Sequence, residues 1–354
     1  MDAYKAEKLI LNIPRVPIGF FPTPLQKLDN LSKKYNSFLY MKRDDLSGPE
    51  FGGNKIRKLE FLLAEAVKEN TEYVFTYGAH QSNHCRETVA ACRKLGLKPV
   101  LYLLYLGGGD KPGQYLGNLF LDKIMDAEIK FVSPTPGISA YEALEQSYKI
   151  SAEHILQLEK RGHRCYDIPV GGFNPIGCLG FTLGFIELVK QLQDKKIKID
   201  YIVFATGSGG TLAGLLAGKA MLNSDIKMIP ISVDVEPKDK PKKIADMANE
   251  VLKILGIDTS INENEVIIDT GYIGEGYEKP SEASTSAIRE LAIEEGIVLD
   301  PVYTGKAFAG LLDYLRKRLI PQDSNVLFWH TGGTPAIFAE REIVGHVYKG
   351  VDEL

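Results

Sequence analysis

The sequence predicts an α/β fold with two domains, each built on a twisted, parallel-type sheet flanked by helices. From residue 72 onward, short apolar runs alternate with amphipathic stretches of helical spacing, a pattern typical of sheets covered by helices on both faces. Glycine or a glycine-rich turn closes several of these units. The chain has 354 residues, which is too long for one small core and suits two domains.

The predicted elements alternate in order along the chain. Strands are predicted for apolar runs rich in β-branched and aromatic residues: YVFTYG (73–78), KPVLYLLYL (98–106), AEIKFVS (127–133), DYIVFA (200–205), IKMIPISV (226–233), EVIID (265–269) and NVLFWH (325–330). Helices are predicted for the amphipathic stretches between them: 82–96, about 114–125, about 140–162, and a helix of small residues after TGSGGT (206–211).

Two clusters of glycine and proline mark candidate domain boundaries. They are LSGPEFGG (46–53) and IPVGGFNP (168–175). We therefore expect residues 1–50 and 167–354 to form a large domain, into which a small α/β domain of residues 51–166 is inserted.

Composition excludes several classes of function. Lys and Arg number 42 and Asp and Glu number 46, so the net charge is −4; the two signs are interspersed, which predicts neither a nucleic acid nor a membrane partner. No secretory signal and no apolar run of about 18 residues is found, so a transmembrane helix is not predicted. The four cysteines lack metal-type spacing and are expected to be free thiols in a reducing cytoplasm: Cys85, Cys92, Cys165 and Cys178.

The stretch FGGNKIRKLEF (51–61) places a lysine at the start of a predicted helix. The helix is predicted from apolar residues at helical spacing: Ile56, Leu59, Leu62, Leu63 and Ala66. Asn54 is the predicted N-cap and Lys55 the first helical residue. A cation there is disfavoured by about 0.3–1 kcal/mol, because the helix dipole favours negative charge at this end. We expect the same field to lower the pKa of Lys55 and favour the neutral amine that attacks aldehydes. Arg57 and Lys58 are expected to be solvated or to meet acidic partners.

A glycine-rich loop follows a predicted strand in VFATGSGGTLAG (203–214). Its glycines allow the backbone to approach an anion, and the amides at the following helix start attract phosphate. A dinucleotide fingerprint would need glycine at Leu212, and no Gly-Lys-Ser/Thr completes a P-loop, so a nicotinamide enzyme is disfavoured. The alternative is a turn in which the glycines serve only the packing of helix against strand.

A second polar turn, GAHQSNH (78–84), also opens a helix. His80 and His84 have helical spacing for a metal, but Gln81 stands where a zincin has glutamate and no third ligand is evident, so no metal site is predicted. Ser82, Asn83 and the helix-start amides form a better candidate, a cradle for a carboxylate. The alternative is a polar N-cap beside two partly buried histidines.

Aromatic and hydroxyl residues occur at three turns near the C-terminus. These turns are GEGYEKPSE (274–282), DPVYTGKAF (300–308) and FWHTGGTPA (328–336). Tyr277 and Tyr303 are candidate proton donors or stacking rings, although a single tyrosine is more often structural. A lysine, a phosphate cradle, a carboxylate cradle and tyrosines together indicate an amino-acid site built on pyridoxal 5′-phosphate (PLP), with the lysine as Schiff base.

Five stretches resemble, in the same order, the D-cysteine desulfhydrase and 1-aminocyclopropane-1-carboxylate (ACC) deaminase family of PLP enzymes. They are KRDDLSGPEFGGNKIRKLEFLLAEA, GAHQSNH, ATGSGGTLAG, DPVYTGKAFAGL and HTGGTPAIF, and the similarity extends from about residue 20 to about 340. The resemblance implies the tryptophan-synthase-β-like fold, known as fold type II. It also implies that PLP is bound by the large domain in the cleft between the domains, and that the enzyme is a homodimer acting on a small amino acid.

The resemblance also implies a role for each site residue. Lys55 would be the Schiff-base lysine, with Ser82, Asn83 and His84 at the substrate carboxylate and the cofactor's ring oxygen. Tyr277 and Tyr303 would flank cofactor and substrate and take part in catalysis with Lys55 and Ser82. The phosphate would be bound by the glycine loop: Gly207, Ser208, Gly209, Gly210 and Thr211.

Two positions separate the activities within this family. Deaminases typically carry Glu where this sequence has Thr304, and Leu where it has Thr331. A glutamate beside the pyridine nitrogen keeps the nitrogen protonated, whereas a threonine hydroxyl can donate to the unprotonated form, which withdraws electrons more weakly. That suffices when thiolate leaves from the β-carbon. The prediction is β-elimination of D-cysteine to pyruvate, hydrogen sulfide and ammonia, with Lys55 or a flanking tyrosine as the base.

Alternative functions remain open at this point. ACC deamination and cleavage of L-cysteate use the same scaffold, and the unusual Lys279 would favour an acidic substrate such as L-cysteate. A PLP-binding protein without turnover is an alternative from another class. The glycine-rich loop at 106–113 is longer than the family pattern and has no assigned role.

Overall fold

The computed structural model describes residues 1–105, 110–133, 140–235, 237–279 and 281–339. Only residues 110–113 of the glycine-rich loop at 106–113 therefore fall within the described part.

The strands form two sheets. They are β1 (Leu25–Lys27), β2 (Phe38–Arg43), β3 (Tyr73–Ala79), β4 (Lys98–Leu104), β5 (Glu128–Val132), β6 (Cys165–Asp167), β7 (Tyr201–Thr206), β8 (Lys227–Ser232) and β9 (Asn325–His330). A five-stranded sheet has the order β1-β2-β9-β7-β8, and a four-stranded sheet has the order β5-β4-β3-β6. Neighbouring strands run parallel except for the edge pair of β1 and β2.

Helices connect and cover these strands. They are α1 (Ala3–Ile10), α2 (Asp29–Tyr35), α3 (Lys55–Lys68), α4 (Asn83–Lys94), α5 (Gly117–Ile124), α6 (Ala140–Glu159), α7 (Pro175–Lys195), α8 (Gly210–Leu222), α9 (Lys240–Ile254), α10 (Glu282–Glu295) and α11 (Thr304–Arg316). The predicted α/β class with parallel-type sheets is confirmed. All strands of the smaller sheet lie between residues 73 and 167, and the expected boundary between 166 and 167 falls inside β6.

One predicted strand, EVIID (265–269), is wrong. The segment makes a single bridge, between Asp269 and Ile231 at the end of β8, and the Ile267 side chain is 76% exposed. An apolar run becomes a strand only where a neighbouring strand pairs with its backbone and covers a face. Among the described residues, this segment has no such neighbour along its length. The antiparallel edge strand β1 and its partner β2, which precede the regular alternation, were not predicted.

The largest core cluster surrounds α7. Phe181 and Phe185 of this helix pack with Leu212 and Leu215 of α8 and with Trp329 of β9. Within the described residues, α7 is the one helix long and apolar enough to cross a membrane, and 67% of its most apolar window is buried inside the fold. A central core helix has the same length and composition, so this feature is explained by packing.

Candidate active site

A single cleft gathers residues from the carboxyl ends of β3, β7 and β9, where parallel sheets usually carry their sites. Most of the residues that the sequence nominated line it: Lys55, Ser82, Asn83, His84, Gly207, Ser208, Gly209, Thr211, Tyr277, Tyr303 and Thr331. Gly210 and Thr304 are absent from the lining. Gly210 is nevertheless the first residue of α8, directly behind the loop.

Lys55 is the first residue of α3, as predicted, and its amine faces the cleft. Its Nζ donates to Asn54 Oδ1 at 3.1 Å, and the Asn54 amide in turn donates to Thr211 Oγ1 at 3.2 Å. The pKa of Lys55 lies below its ordinary value, in the predicted direction. Burial is the largest cause, and the negative charges of Glu87 and Asp300 oppose it.

The N-terminus of α3 is capped by a residue from another helix. Asn54 occupies the N-cap position, but its side chain caps no backbone amide, which corrects that part of the prediction. Instead, Glu87 Oε2 on α4 accepts from Lys55 N at 2.8 Å and from Ile56 N at 3.0 Å. A carboxylate therefore lies at the end of the helix where the dipole favours negative charge. It offsets the unfavourable placement of the Lys55 cation at this end.

Arg57 and Lys58 are both buried, so solvation does not account for them. Arg57 is 3% exposed and donates to Asp44 and Glu187, which makes it part of a buried ionic cluster. Lys58 is 1% exposed and its Nζ donates to Gly171 O at 2.9 Å. Burial lowers the pKa of Lys58 to about 7.

The glycine loop is built to hold an anion. Gly209 has φ +96°, a conformation that favours glycine, and in the described chain the N–H groups of Ser208, Gly209 and Gly210 donate to no acceptor. A Cβ on Gly210 would lie 2.5 Å from Lys58 Nζ, so this ammonium group sits against the loop. The Thr206 hydroxyl, which also lines the cleft, is buried without a partner among the described residues. Free amides, a hydroxyl and a cation are the donors a phosphate requires.

The start of α4 forms a second anion cradle. Ser82 is its N-cap, with Oγ accepting from Cys85 N, and the N–H groups of Asn83 and His84 have no acceptor among the described residues. Asn118 of α5 fixes this turn, because its amide donates to Asn83 Oδ1 at 2.7 Å and to Gln81 O at 2.8 Å.

His84 lies deep beside this cradle as a neutral imidazole. Its Nε2 contacts Thr76 Oγ1 at 2.7 Å, and burial together with the charges of Lys55 and Lys58 holds its pKa well below the usual range. A neutral ring does not supply a positive charge for the substrate carboxylate, so the cradle relies on hydroxyl and amide donors. Among the described residues no cluster of His, Cys, Asp or Glu fits a metal ion.

Tyr277 and Tyr303 form a hydroxyl pair at the cleft. Their oxygens are 2.5 Å apart and the rings meet edge to face, with centroids 5.9 Å apart. Burial raises the pKa of both phenols, so each is protonated at neutral pH. The pair can donate or relay a proton, whereas neither is preset to remove one.

The two threonines that distinguish the activities lie in different environments. Thr331 lines the cleft and its carbonyl accepts from Asn54 N at 3.0 Å. Thr304 is fully buried at the start of α11, and its hydroxyl donates to Asp300 Oδ1 at 2.6 Å. The expected contact of Thr304 with the cofactor is therefore not supported, because its one hydroxyl proton is engaged at the helix start. Lys279 is exposed and outside the lining.

Three residues at the site were not predicted from the sequence as site residues: Lys58, Glu87 and Thr206. Lys58 had a usable signal, because residues three apart lie on the same face of a helix, and Lys55 is on that face. Glu87 had none, since it meets α3 across 31–32 positions of chain.

The donor set fits PLP. The loop before α8 with Lys58 suits its phosphate, and Lys55 is a half-buried amine of lowered pKa that suits its aldehyde. The start of α4 suits the carboxylate of an amino acid beside it.

Comparison with known proteins supports PLP as the cofactor. The family model described as pyridoxal-phosphate dependent enzyme matches residues 16–332. A Thermotoga maritima protein named putative 1-aminocyclopropane-1-carboxylate deaminase is 40% identical over 92% of this chain and 98% of its own. A Klebsiella pneumoniae protein named D-cysteine desulfhydrase is 37% identical over 93% of this chain and 97% of its own.

Solved structures agree as well. A crystal structure described as an ACC deaminase homologue has a TM-score of 0.84 and 36% identity, and the match covers 99% of each chain. The processed form of threonine deaminase isoform 2 from Solanum lycopersicum has a TM-score of 0.64 at 16% identity, over 97% of this chain and 88% of its own, which shows the shared fold alone. The resemblance read from the five stretches is confirmed: this chain belongs to the pyridoxal-phosphate-dependent enzymes, among the relatives named ACC deaminase and D-cysteine desulfhydrase.

Proposed function

We propose that the protein is a D-cysteine desulfhydrase, which removes the α-proton and expels hydrosulfide from the β-carbon; the released enamine reacts with water to give pyruvate and ammonia. The observation that carries the proposal is the absence of any carboxylate among the described lining residues, where Thr331 supplies a hydroxyl. When bound, PLP supplies an aldehyde that links to an amine and a ring that accepts electrons from the α-carbon.

The start of α4 binds and orients the substrate. Its free amides and the Ser82 hydroxyl hold the α-carboxylate, and Asn118 keeps the turn in place by bonding Asn83. Holding the carboxylate at a helix N-terminus fixes the amino acid relative to Lys55. The reacting groups are then already in position, which lowers the entropic cost of the reaction.

Lys55 is the group best suited to remove the α-proton. A base acts efficiently when its pKa lies near the working pH, and burial lowers the pKa of Lys55 from its ordinary value. The phenols of Tyr277 and Tyr303 have raised pKa values, so they stay protonated near neutral pH and do not act as bases there. Their hydroxyl pair is placed to return or relay a proton.

The lining favours a reaction with a good leaving group. A carboxylate beside a ring nitrogen would stabilise its protonated, strongly electron-withdrawing form, and a hydroxyl does not. The weaker electron sink suffices when thiolate leaves from the β-carbon, whereas opening a cyclopropane offers no comparable leaving group. At position 304, where deaminases typically carry the glutamate, this chain has a threonine whose hydroxyl is bonded to Asp300; Thr331, which lines the cleft, stands where deaminases typically carry leucine.

ACC deamination is the second candidate, because the 40% identical Thermotoga maritima relative is named a putative ACC deaminase. Cleavage of L-cysteate has less support: Lys55 is the one Lys or Arg among the described lining residues, so no second cation meets a sulfonate. A PLP-binding protein without turnover is disfavoured by the complete set of binding groups.

A substrate panel tests the proposal. Purified holoenzyme is given D-cysteine, L-cysteine, L-cysteate and ACC separately, while pyruvate, sulfide, sulfite and 2-oxobutyrate are measured. We expect pyruvate and sulfide in equal amounts from D-cysteine. Formation of 2-oxobutyrate from ACC without sulfide from D-cysteine would overturn the assignment, and no turnover of any amino acid would favour the non-catalytic alternative.

A further inference from the structure

Two helices that carry the site begin side by side, and one buried glutamate joins them. Lys55 begins α3, and the carboxylate cradle begins α4 at Ser82 and Asn83. Glu87, in the second turn of α4, is fully buried. Its Oε2 accepts from Lys55 N at 2.8 Å and from Ile56 N at 3.0 Å, so it takes the role that a local N-cap side chain usually has.

This cap from outside the helix frees Asn54 for another task. The Asn54 side chain makes no cap bond and instead accepts from Lys55 Nζ and donates to Thr211 Oγ1. It thereby links the lysine to the helix behind the phosphate loop. Gly53 makes room for the arrangement, because a Cβ there would lie 2.2 Å from Glu87 Oε1.

Glu87 also contributes a charge that faces Lys55. Its Oε1 has no hydrogen-bond partner among the described residues, and Arg86 Nη2 is 3.8 Å away. Negative charge from Glu87 opposes the desolvation of the Lys55 ammonium, although burial raises the pKa of Glu87 itself to about 7. The other titratable or charged groups that act on Lys55 come from several elements: Asp300, Arg86, Cys85, Lys58 and His84.

We propose that Glu87 is a positioning residue for Lys55, which holds the start of α3 in register with the start of α4 and sets the charge of the lysine amine. The proposal rests on Lys55 being the cofactor lysine. It does not depend on which amino acid the enzyme cleaves.

The test measures the rate at which the apoprotein captures PLP as a function of pH. Capture is monitored by the visible absorption that appears on binding. Capture requires the neutral amine, so its pH midpoint reports the pKa of Lys55. Glu87→Gln keeps an oxygen for both N–H groups and removes the charge, whereas Glu87→Ala removes both. Glu60→Gln is a matched control: Glu60 lies on α3, is 2% exposed and accepts from Ile18 N and Gly19 N, both at 2.9 Å.

We expect Glu87→Gln to move the midpoint to lower pH by about 1 pH unit, because a nearby opposite charge no longer favours the ammonium. Glu60→Gln should leave the midpoint unchanged. Glu87→Ala should slow capture about 10-fold or more at a pH above the midpoint, through loss of position, and Glu87→Gln should restore most of that rate.

Equal midpoints in wild type and Glu87→Gln, or equal shifts in Glu87→Gln and Glu60→Gln, would overturn the charge role. Wild-type capture rates in a folded Glu87→Ala protein would overturn the positioning role. If Glu87→Ala does not fold, the comparison of the two glutamine variants still decides the first point. Since no substrate is present, a failure of D-cysteine turnover leaves this result untouched.

Discussion

At the residue scale, the site depends on one half-buried and one fully buried lysine. Lys55 and Lys58 lie one helical turn apart on α3, and burial lowers the pKa of both. Desolvation disfavours an ammonium group, so burial favours the neutral amine at both positions. The two lysines are close in sequence but have different roles, because Lys55 faces the cleft and Lys58 lies behind the glycine loop.

Replacing Lys58 by methionine tests its role at the phosphate. We expect Lys58→Met to weaken PLP binding about 10-fold or more, since hydrogen bonds to charged groups are worth roughly 1.5–3 kcal/mol. With a pKa of about 7, Lys58 loses its proton as pH rises, so wild-type affinity should fall between about pH 7 and 9, where the phosphate is fully ionised. Lys58→Met should flatten this fall. Equilibrium dialysis measures both effects.

Lys306→Met is the control for this prediction. Lys306 is also buried and donates to Ile273 O and Gly276 O, but it holds the loop before Tyr277 and is not among the described residues that line the cleft. It should alter KM for the amino acid more than affinity for PLP. Unchanged PLP binding in Lys58→Met would contradict the role given to Lys58.

At the element scale, α3 combines an apolar stripe with a set of buried charges. The stripe is local and was predicted from spacing: Ile56, Leu59, Leu62, Leu63 and Ala66 are all buried. The charges were not predictable, because Arg57 meets Asp44 across 13 positions and Glu187 across 130. Although burial by itself raises the pKa of Glu187, Arg57 and Lys42 lower it to about 2, so this cluster holds α3, β2 and α7 together in ionised form.

Arg57→Met should destabilise the apoprotein by about 3 kcal/mol or more, because it leaves buried carboxylates without their partner. Denaturant unfolding at pH 7 measures the change in the free energy of unfolding. Arg93→Met is the control, since the Arg93–Asp126 pair is exposed and should contribute less than about 1 kcal/mol. A loss in Arg57→Met no larger than that of the control would mean the cluster contributes little.

At the scale of the whole molecule, the cleft draws on both sheets. The carboxyl end of β3 in the smaller sheet supplies the carboxylate cradle, while β7 and β9 of the larger sheet supply the phosphate loop and Thr331. A group bound there contacts elements of both sheets at once. Assembly into a homodimer and a cytoplasmic location stay predictions.

Removal of PLP should therefore lower the thermal stability of the whole chain. A ligand at about 100 times its Kd stabilises the folded state by about 2.7 kcal/mol, so Tm should rise by several degrees with added PLP and depend on its concentration. Thermal unfolding of apoprotein and holoenzyme, followed by circular dichroism, measures this. Pyridoxal without its phosphate is the control and should stabilise less. A Tm independent of PLP would contradict binding at the cleft.

The sequence by itself determined the features that depend on neighbours along the chain. Hydrophobic spacing predicts the helix that begins at Lys55, a glycine loop between strand and helix predicts an anion cradle, and Ser82 acts as the N-cap of its own helix. These signals lie within one or two turns, so they can be read without knowing how the chain folds back on itself. The family resemblance added the cofactor.

Only the tertiary structure decided which side chains meet across the chain. The sequence predicts the same kind of role for Thr304 and Thr331, yet Thr304 is bonded to Asp300 and Thr331 lines the cleft. Local pattern also predicts that Asn54 caps the helix that begins at Lys55, whereas the side chain that accepts from its first amide is Glu87 of a neighbouring helix. Burial and charge pairing depend on segments that pack together from distant positions, and they set the pKa values on which the chemistry of this site depends.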